Sequence, residues 1–209
     1  MRCVQRACLP LLLLLWTVPA LSDCELQSTV RRVPVLELYT SEGCSSCPPA
    51  DAWLARLHPD TAAVVPLALH VDYWDRLGWK DRFSRPEFSA RQRAIAARSR
   101  SATVYTPQFI LDGVDWRGWW TRQSLDDALA PTAGIAPLAT IAGTGRFDGA
   151  LVDVSAAIQL LDAAADRTSV AYVALVEHGL HTAVRAGENR GRTLRHEHVV
   201  QVLHGPVAL

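Results

Sequence analysis

The chain has 209 residues, of which 49% are hydrophobic and 20% are charged, with 21 basic and 21 acidic side chains. This composition is that of a globular protein and excludes a disordered or fibrous chain. With a formal net charge of zero, the chain also lacks the electrostatic footprint of a nucleic-acid binder.

Residues 1–22 have the features of a secretory signal peptide. Two arginines precede an apolar run over 9–18, and small residues then fit a cleavage site before Asp23. The apolar run is shorter than the roughly 20 residues of a membrane-spanning helix. We therefore expect an exported protein, periplasmic or secreted, with no stable membrane span. Asp23 stands before Cys24, where a lipoprotein has a small residue, and this disfavours lipid anchoring.

Removal of this signal leaves three cysteines, Cys24, Cys44 and Cys47. An exported chain meets an oxidising compartment. Three cysteines cannot all pair with one another, so one thiol would be spare or would pair with a partner. The closeness of Cys44 and Cys47 predicts that they pair, which leaves Cys24 in a segment that we expect to be mobile.

Apolar periodicity predicts alternating strands and helices in the first part of the chain. The predicted elements are strand 33–39, helix 50–57, strand 62–71, helix 87–100, strand 108–111, strand 114–118 and helix 125–130. The first two strands must be parallel because a helix joins them, whereas the turn signal at Asp112-Gly113 makes the last two strands antiparallel. Ser124 is the predicted N-cap of the last helix.

The composition changes after Pro131, where Ala, Gly and Thr become frequent. Strands are predicted at 152–158, 169–177 and 199–203, with a polar loop at 185–195. The predicted fold is therefore α/β, with a mixed sheet flanked by helices over 33–131. A β-rich C-terminal extension over 132–209 packs on that part or completes it.

Cys44 and Cys47 form a C-x-x-C motif between a strand and a helix, a setting typical of thioredoxin-like redox motifs. The two sulfurs can meet in a tight turn and cycle between dithiol and disulfide. A helix N-terminus favours the thiolate that attacks a disulfide. However, Pro48 and Pro49 predict that the helix begins near Cys47, which weakens this effect at Cys44.

Three other interpretations of the motif stay open. They are a permanent structural disulfide, half of a zinc site completed by His196 and His198, and a dithiol site for a soft metal such as copper or mercury. We expect these two histidines to be surface residues, and His70 to belong to the core or to a strand end. Neither a resident metal nor an organic cofactor is predicted, because the sequence has no second C-x-x-C and no Gly-rich phosphate loop.

Two features near the motif favour redox chemistry. Thr106-Pro107 precedes a strand expected beside the cysteine-bearing strand, where a cis proline would lie beside the sulfurs and let an extended substrate pair with it. Glu37 lies in an otherwise apolar strand. Buried there, its carboxylate would have a raised pKa and could take a proton from Cys47. The alternative is that Glu37 faces outward at a sheet edge.

An aromatic stretch follows the second predicted strand and contains Tyr73, Trp74 and Trp79. The carboxyl ends of strands carry binding sites in open α/β sheets. These side chains therefore either line a substrate groove beside the dithiol or cover the core.

At these residues the chain resembles known families at two levels. Residues 33–131 resemble the thioredoxin superfamily. More closely, the chain resembles a family of uncharacterised secreted bacterial proteins, classed as a domain of unknown function. That resemblance is carried by the strings ELYTSEGCSSCPPAD (37–51), HVDYWD (70–75), GWKD (78–81), VYTPQ (104–108) and GENRGR (187–192).

The superfamily resemblance implies a thioredoxin-like fold and assigns roles within it. Cys44 would attack, Cys47 would resolve, and Thr106-Pro107 would be the cis-proline pair on the substrate side. Glu37 resembles the buried acid of thioredoxins, offset by one residue. We therefore predict an exported protein that exchanges disulfides with a protein or small-thiol substrate. The alternative is a non-catalytic binding module with a structural disulfide.

Overall fold

The computed structural model describes residues 22–58, 63–101, 103–121, 123–132, 134–147, 151–161 and 169–209. The predicted signal peptide, apart from Ser22, lies outside these residues. The strands are β1 Ser22–Gln27, β2 Val35–Thr40, β3 Val65–His70, β4 Gln108–Leu111, β5 Val114–Asp115, β6 Ala139–Phe147, β7 Val152–Leu160, β8 Val170–Glu177, β9 Leu180–Ala183, β10 Thr193–His196 and β11 Val199–Ala208. The α-helices are α1 Pro48–Leu54, α2 Pro86–Arg98 and α3 Leu125–Leu129.

Six strands form one mixed sheet in the order β5-β4-β2-β3-β11-β8. β2 pairs in parallel with β3 and antiparallel with β4, and β11 pairs in parallel with β3. The parallel pair of β2 and β3 follows from the helical connection through α1, and the hairpin of β4 and β5 is antiparallel. The mixed α/β class and the β-rich C-terminal part are confirmed.

The chain forms two compact units. The larger comprises Val33–Ala133 and Val170–Val207, and it contains the six-stranded sheet and the ribbon of β9 and β10. The smaller comprises the described residues within Met1–Arg32, Gly134–Ser169 and Ala208–Leu209, and its strands β1, β6 and β7 form an antiparallel sheet. The predicted extension over 132–209 is therefore divided between the units, because β8 and nearly all of β11 belong to the larger one.

The segment that contains Cys24 is ordered as β1, with Cys24 opposite Gly145 in the register with β6. Cys24 is also disulfide-bonded. Its place in a strand shows that the expectation of a mobile segment is wrong, whereas the expectation for the chain without its signal, that one thiol is spare or pairs with a partner, stays a prediction. Neither β1 nor β6 was predicted, because their sequences, SDCELQ and ATIAGTGRF, lack the apolar alternation of a half-buried strand.

Alternation along β2 distributes its apolar side chains between two cores. Leu36 and Leu38 pack in a cluster that includes Leu54 of α1. Tyr39 packs in a second cluster that includes Phe88 and Ile95 of α2. α1 and α2 therefore cover opposite faces of β2, and each side chain of this strand can be assigned to one helix or the other.

The turn between β4 and β5 has left-handed backbone at both central residues, with φ of 48° at Asp112 and 83° at Gly113. These values are typical of the two-residue turn that matches the twist of a hairpin. Asp112 Oδ1 also accepts a hydrogen bond of 3.0 Å from the N–H of Val35, which ties the turn to the start of β2.

Substitution of Gly113 tests this turn. A Cβ at Gly113 would meet no atom within 4 Å, so the cost of Gly113→Ala comes from the backbone alone. We expect a loss of about 1 to 2 kcal/mol in the free energy of unfolding, measured by urea titration. Gly113→Asn is the matched control, since Asn tolerates positive φ, and it should stay close to the parent. Equal losses in both variants would contradict this account.

Candidate functional site

Cys44 and Cys47 form a disulfide in the loop between β2 and α1, which confirms their predicted pairing. Both cysteines are fully buried, whereas the intervening Ser45 and Ser46 are exposed. Ser46 Oγ lies 3.3 Å from Cys44 Sγ and is placed to donate a hydrogen bond to that sulfur. The loop thus presents two hydroxyl side chains to solvent and keeps the sulfurs beneath them.

α1 begins directly after the motif, with Cys47 as its N-cap and Pro48 as its first residue. Proline is tolerated at this position because its missing N–H would have no helical partner. The carbonyl of Cys47 accepts hydrogen bonds from the N–H groups of Ala50 and Asp51, at 2.9 and 3.1 Å. The predicted start of the helix near Cys47 is confirmed.

The Thr106–Pro107 peptide bond is cis. Antiparallel pairing of β4 with β2 sets Pro107 beside the end of β2 that leads into the cysteine loop. Thr106 Oγ1 accepts a hydrogen bond of 2.7 Å from Trp74 Nε1. Trp74 packs so closely on Gly43 that a Cβ there would lie 3.3 Å from Trp74 Cβ. The structure therefore brings Trp74, Thr106 and Pro107 to the cysteine loop.

The other two aromatic residues of this stretch have different surroundings. The Tyr73 hydroxyl donates a hydrogen bond of 3.2 Å to Gln92 Oε1 of α2, and the ring packs against the second core. Trp79 Nε1 donates a hydrogen bond of 2.7 Å to Glu42 Oε2. Trp79 thus contacts Glu42 of the cysteine loop, whereas Tyr73 covers the core.

Glu37 is buried, but the structure does not bring it to the dithiol. Its carboxylate accepts hydrogen bonds of 2.7 and 3.0 Å from Arg91 of α2 and one of 2.6 Å from the Tyr39 hydroxyl. It therefore lies on the α2 face of the sheet, while Cys47 caps α1 on the other face. The offset of one residue is the reason, because successive side chains of a strand point to opposite faces.

A group of polar side chains, all buried except the half-buried Asp51, lies on the α1 face, next to the cysteine loop. We call it the polar cluster; its members are Glu42, Asp51, His70, Asp81 and His196. His196 Nε2 lies 3.2 Å from Glu42 Oε1, and the rings of His70 and His196 have centroids 5.0 Å apart. Thr40 Oγ1 donates a hydrogen bond of 2.7 Å to Asp51 Oδ1.

Asp81 organises this cluster through three hydrogen bonds. Its carboxylate accepts from His70 Nδ1 at 2.6 Å, from the N–H of Glu42 at 2.8 Å and from the N–H of Phe83 at 2.9 Å. Burial alone would raise the pKa of Asp81, but the His70 charge and these hydrogen bonds lower it. Burial alone would lower the pKa of His70, but the Asp81 charge and hydrogen bond raise it. The two side chains therefore form a buried ion pair.

Asp51 is the acid that stands nearest to Cys47 along α1. Burial raises the pKa of Asp51, against the opposing charges of His70 and His196 and the hydrogen bond from Thr40. Sequence analysis did not select Asp51, although it lies in the first of the resembling strings. The sequence alone does not indicate which face of α1 lies toward His70 and His196, and so it does not single out Asp51.

The loop between β9 and β10 holds the cysteine loop in place. The buried Asn189 side-chain amide donates hydrogen bonds of 2.9 Å to the carbonyls of Glu42 and Cys44. Glu188 Oε2 accepts a hydrogen bond of 2.9 Å from the N–H of Ser45. Arg192 donates to Asn189 Oδ1 at 2.8 Å. Sequence analysis placed this segment in a polar loop and missed its contact with the motif.

The predicted surface location of His196 and His198 is wrong, since each is only 2% exposed. His196 packs against His70 and Phe83, while His198 packs against His178 with ring centroids 4.9 Å apart. The predicted core position of His70 is confirmed. Over the described ranges, no three His, Cys, Asp or Glu side chains are arranged to hold a metal ion, and no helix is long and apolar enough to cross a membrane.

Asp81→Asn tests the ion pair. The lowered pKa of Asp81 contributes stability above the unfolded carboxyl value of about 3.9, which is lost as pH falls through the folded value. The raised pKa of His70 contributes stability below about 6.5, which is lost as pH rises through the folded value. We expect Asp81→Asn to lower the free energy of unfolding by about 3 to 5 kcal/mol at pH 6. In urea titrations from pH 4 to 9, the free energy of unfolding of the variant should also fall less steeply than that of the parent on both the acidic and the alkaline side. An unchanged pH dependence, or an equal loss in the exposed control Asp126→Asn, would refute the assignment.

Asn189→Ala tests the contact between the two loops. It leaves two carbonyls without their shared donor, and we expect the free energy of unfolding to fall by about 2 to 4 kcal/mol. Arg192→Ala is the control. It removes the hydrogen bond to Asn189 Oδ1 but keeps the two that the Asn189 amide donates, so its free energy of unfolding should fall clearly less. Faster proteolysis within 41–49 of native Asn189→Ala, but not of Arg192→Ala, would locate the effect. Indistinguishable variants would contradict this account.

Comparison with known proteins finds no match among proteins of curated function. A crystal structure of a protein from Agrobacterium tumefaciens, solved by a structural genomics consortium, is similar to the chain. The match has a TM-score of 0.54 and 26% sequence identity, and it covers 85% of this chain and 73% of that one. The family model described as a protein of unknown function (DUF1223) matches residues 35–207. Since this match spans most of the sequence, the chain belongs to the DUF1223 family.

Proposed function

We propose that the chain is an exported thiol–disulfide exchange protein with a thioredoxin-like arrangement around Cys44 and Cys47. The observation that carries the proposal is the position of the disulfide. It lies in the loop between the parallel strand β2 and the helix α1, and Pro107 of the cis Thr106–Pro107 bond lies beside the end of β2 that leads into this loop. Disulfide exchange needs two sulfurs that meet across a tight turn, and the motif provides them. The signal-like N-terminus supports export, and a protein or small-thiol disulfide is the proposed substrate.

The proposed reaction, in the reducing direction, has two steps. The Cys44 thiolate attacks one sulfur of the substrate disulfide, so that a mixed disulfide forms and the other substrate sulfur leaves as a thiolate. The Cys47 thiolate then attacks Cys44 Sγ, which closes the intramolecular disulfide and releases the second substrate thiolate. The substrate gains two electrons and the protein loses two. The Ser46 hydroxyl supports the Cys44 thiolate by its hydrogen bond, and Trp74 with Thr106 lines the side of Pro107 on which the substrate would lie.

The burial of both sulfurs sets a condition on this reaction. A substrate sulfur must approach Cys44 in line with the bond that breaks, and the fully buried residue does not allow this approach while the loop is closed. Exchange therefore requires the segment around Ser45 and Ser46 to move. The same observation favours a second candidate function, in which the disulfide is a permanent structural link in a non-catalytic binding module.

The redox equilibrium of the Cys44–Cys47 pair separates the two candidates. The reduction potential of the pair is measured against glutathione buffers in a Cys24→Ser background. We expect a midpoint potential between about −270 and −120 mV, the range of known exchange proteins. A pair that stays oxidised below about −300 mV would identify a structural disulfide and would refute the exchange function.

Trapping of mixed disulfides gives an independent test. In Cys47→Ser the resolving thiol is absent, so a complex with the substrate should accumulate and run as a new band without reductant. Cys44→Ser is the matched control, because it keeps one thiol but loses the attacking one, and it should trap nothing. Equal trapping by both variants would mean that Cys44 is not the attacking residue.

A further inference from the structure

Glu188 places a carboxylate directly on the backbone of the redox motif. Its Oε2 accepts a hydrogen bond of 2.9 Å from the N–H of Ser45, the residue that follows Cys44. The hydrogen bonds from Ser45 lower the pKa of Glu188, so the side chain is ionised at neutral pH. The two-step reaction described above makes no use of this residue.

The neighbouring residue explains why the carboxylate stays at this place. Asn189 is fully buried and donates to the carbonyls of Glu42 and Cys44, on either side of Gly43. Arg192 in turn orients the Asn189 amide. The backbone that carries Glu188 is therefore held against the cysteine loop, although the Glu188 side chain itself is exposed.

We propose that Glu188 is a positioning residue that destabilises the Cys44 thiolate and thereby directs the pair toward donating electrons to its substrate. This inference rests on the proposed exchange function and adds a direction to it. Two effects act in the same sense. The carboxylate repels a second negative charge nearby, and it occupies a backbone N–H that could otherwise donate toward the thiolate.

The direction of exchange follows from the relative stability of the two redox forms. A dithiol pair whose reduced form is stabilised is a strong oxidant. A carboxylate beside Cys44 has the opposite effect, because it raises the free energy of the reduced form at any pH where the thiolate is populated. The pair then gives up its electrons more readily. The other titratable groups near the loop are the members of the polar cluster and Arg192, and they stay unchanged when Glu188 is substituted.

Glu188→Gln is the decisive variant, since its amide oxygen can still accept from Ser45 while the charge is lost. The Cys44 pKa is measured from thiolate absorbance of the chemically reduced protein, in the Cys24→Ser background. The redox equilibrium is measured with glutathione. We expect a lower Cys44 pKa. At a pH above that pKa, where the thiolate is populated, we also expect an equilibrium shifted about threefold toward the reduced form, which is about 14 mV for a two-electron couple. Glu188→Lys should shift both quantities further in the same direction.

Ionic strength separates an electrostatic role from a structural one. Because the side chain is exposed, the effect of Glu188→Gln should shrink at 1 M salt, where the Debye length is about 3 Å. Glu87→Gln on α2, exposed and on the opposite face of the sheet, is the control and should change nothing. A shift that persists at high salt, or no shift at all, would overturn the proposal.

This experiment distinguishes failure of the inference from failure of the proposed function. The Cys44 pKa can be read in the reduced protein even if the pair exchanges with no substrate. An inert pair with a Glu188-dependent pKa would refute the exchange function and retain the electrostatic effect of Glu188. If the pair exchanges disulfides but its Cys44 pKa and redox equilibrium do not change in Glu188→Gln, the inference is refuted and the exchange function is not.

Discussion

The arrangement around the cysteines depends on one buried carboxylate, that of Asp81. A buried charge is tolerated only when it is paired and its oxygens accept hydrogen bonds. Asp81 meets this requirement with groups from three different segments: the start of the cysteine loop at Glu42, the end of β3 at His70, and the backbone of Phe83 ahead of α2. Because Glu42 lies 39 positions and His70 lies 11 positions from Asp81, these hydrogen bonds bring together the elements that carry the dithiol and its surroundings.

Sequence reasoning succeeds here where local signals and global topology agree. The pairing of Cys44 with Cys47, the start of α1 after the two cysteines, and the Asp112-Gly113 turn all depend on residues within a few positions of one another. The parallel pairing of β2 and β3 follows from a single helical connection. Glu37 shows the limit of this reasoning. Burial was one of two predicted alternatives, and the residue is buried, but the alternation of β2 places its carboxylate on the α2 face, away from the dithiol.

The rest of the site depends on contacts between residues far apart in sequence. Asn189 and Glu42 are separated by 147 positions, and neither has a local pattern that indicates the other. The sequence around His196 predicts a surface residue on a strand. In the structure His196 is buried, and its ring packs against His70 and Phe83. β1 and β6 lack apolar alternation, so their sheet could not be predicted from periodicity.

The position of β11 has a consequence for the order in which the protein is completed. This strand lies between β3 and β8, so the central sheet cannot be completed until Val199–Ala208 has been synthesised. A chain that emerges from its N-terminus exposes both cysteines before the segment bearing Glu188 and Asn189 exists. An oxidant that reaches the sulfurs at that stage meets an uncovered loop, whereas a thiol that reaches the folded protein meets a loop held by Glu188 and Asn189.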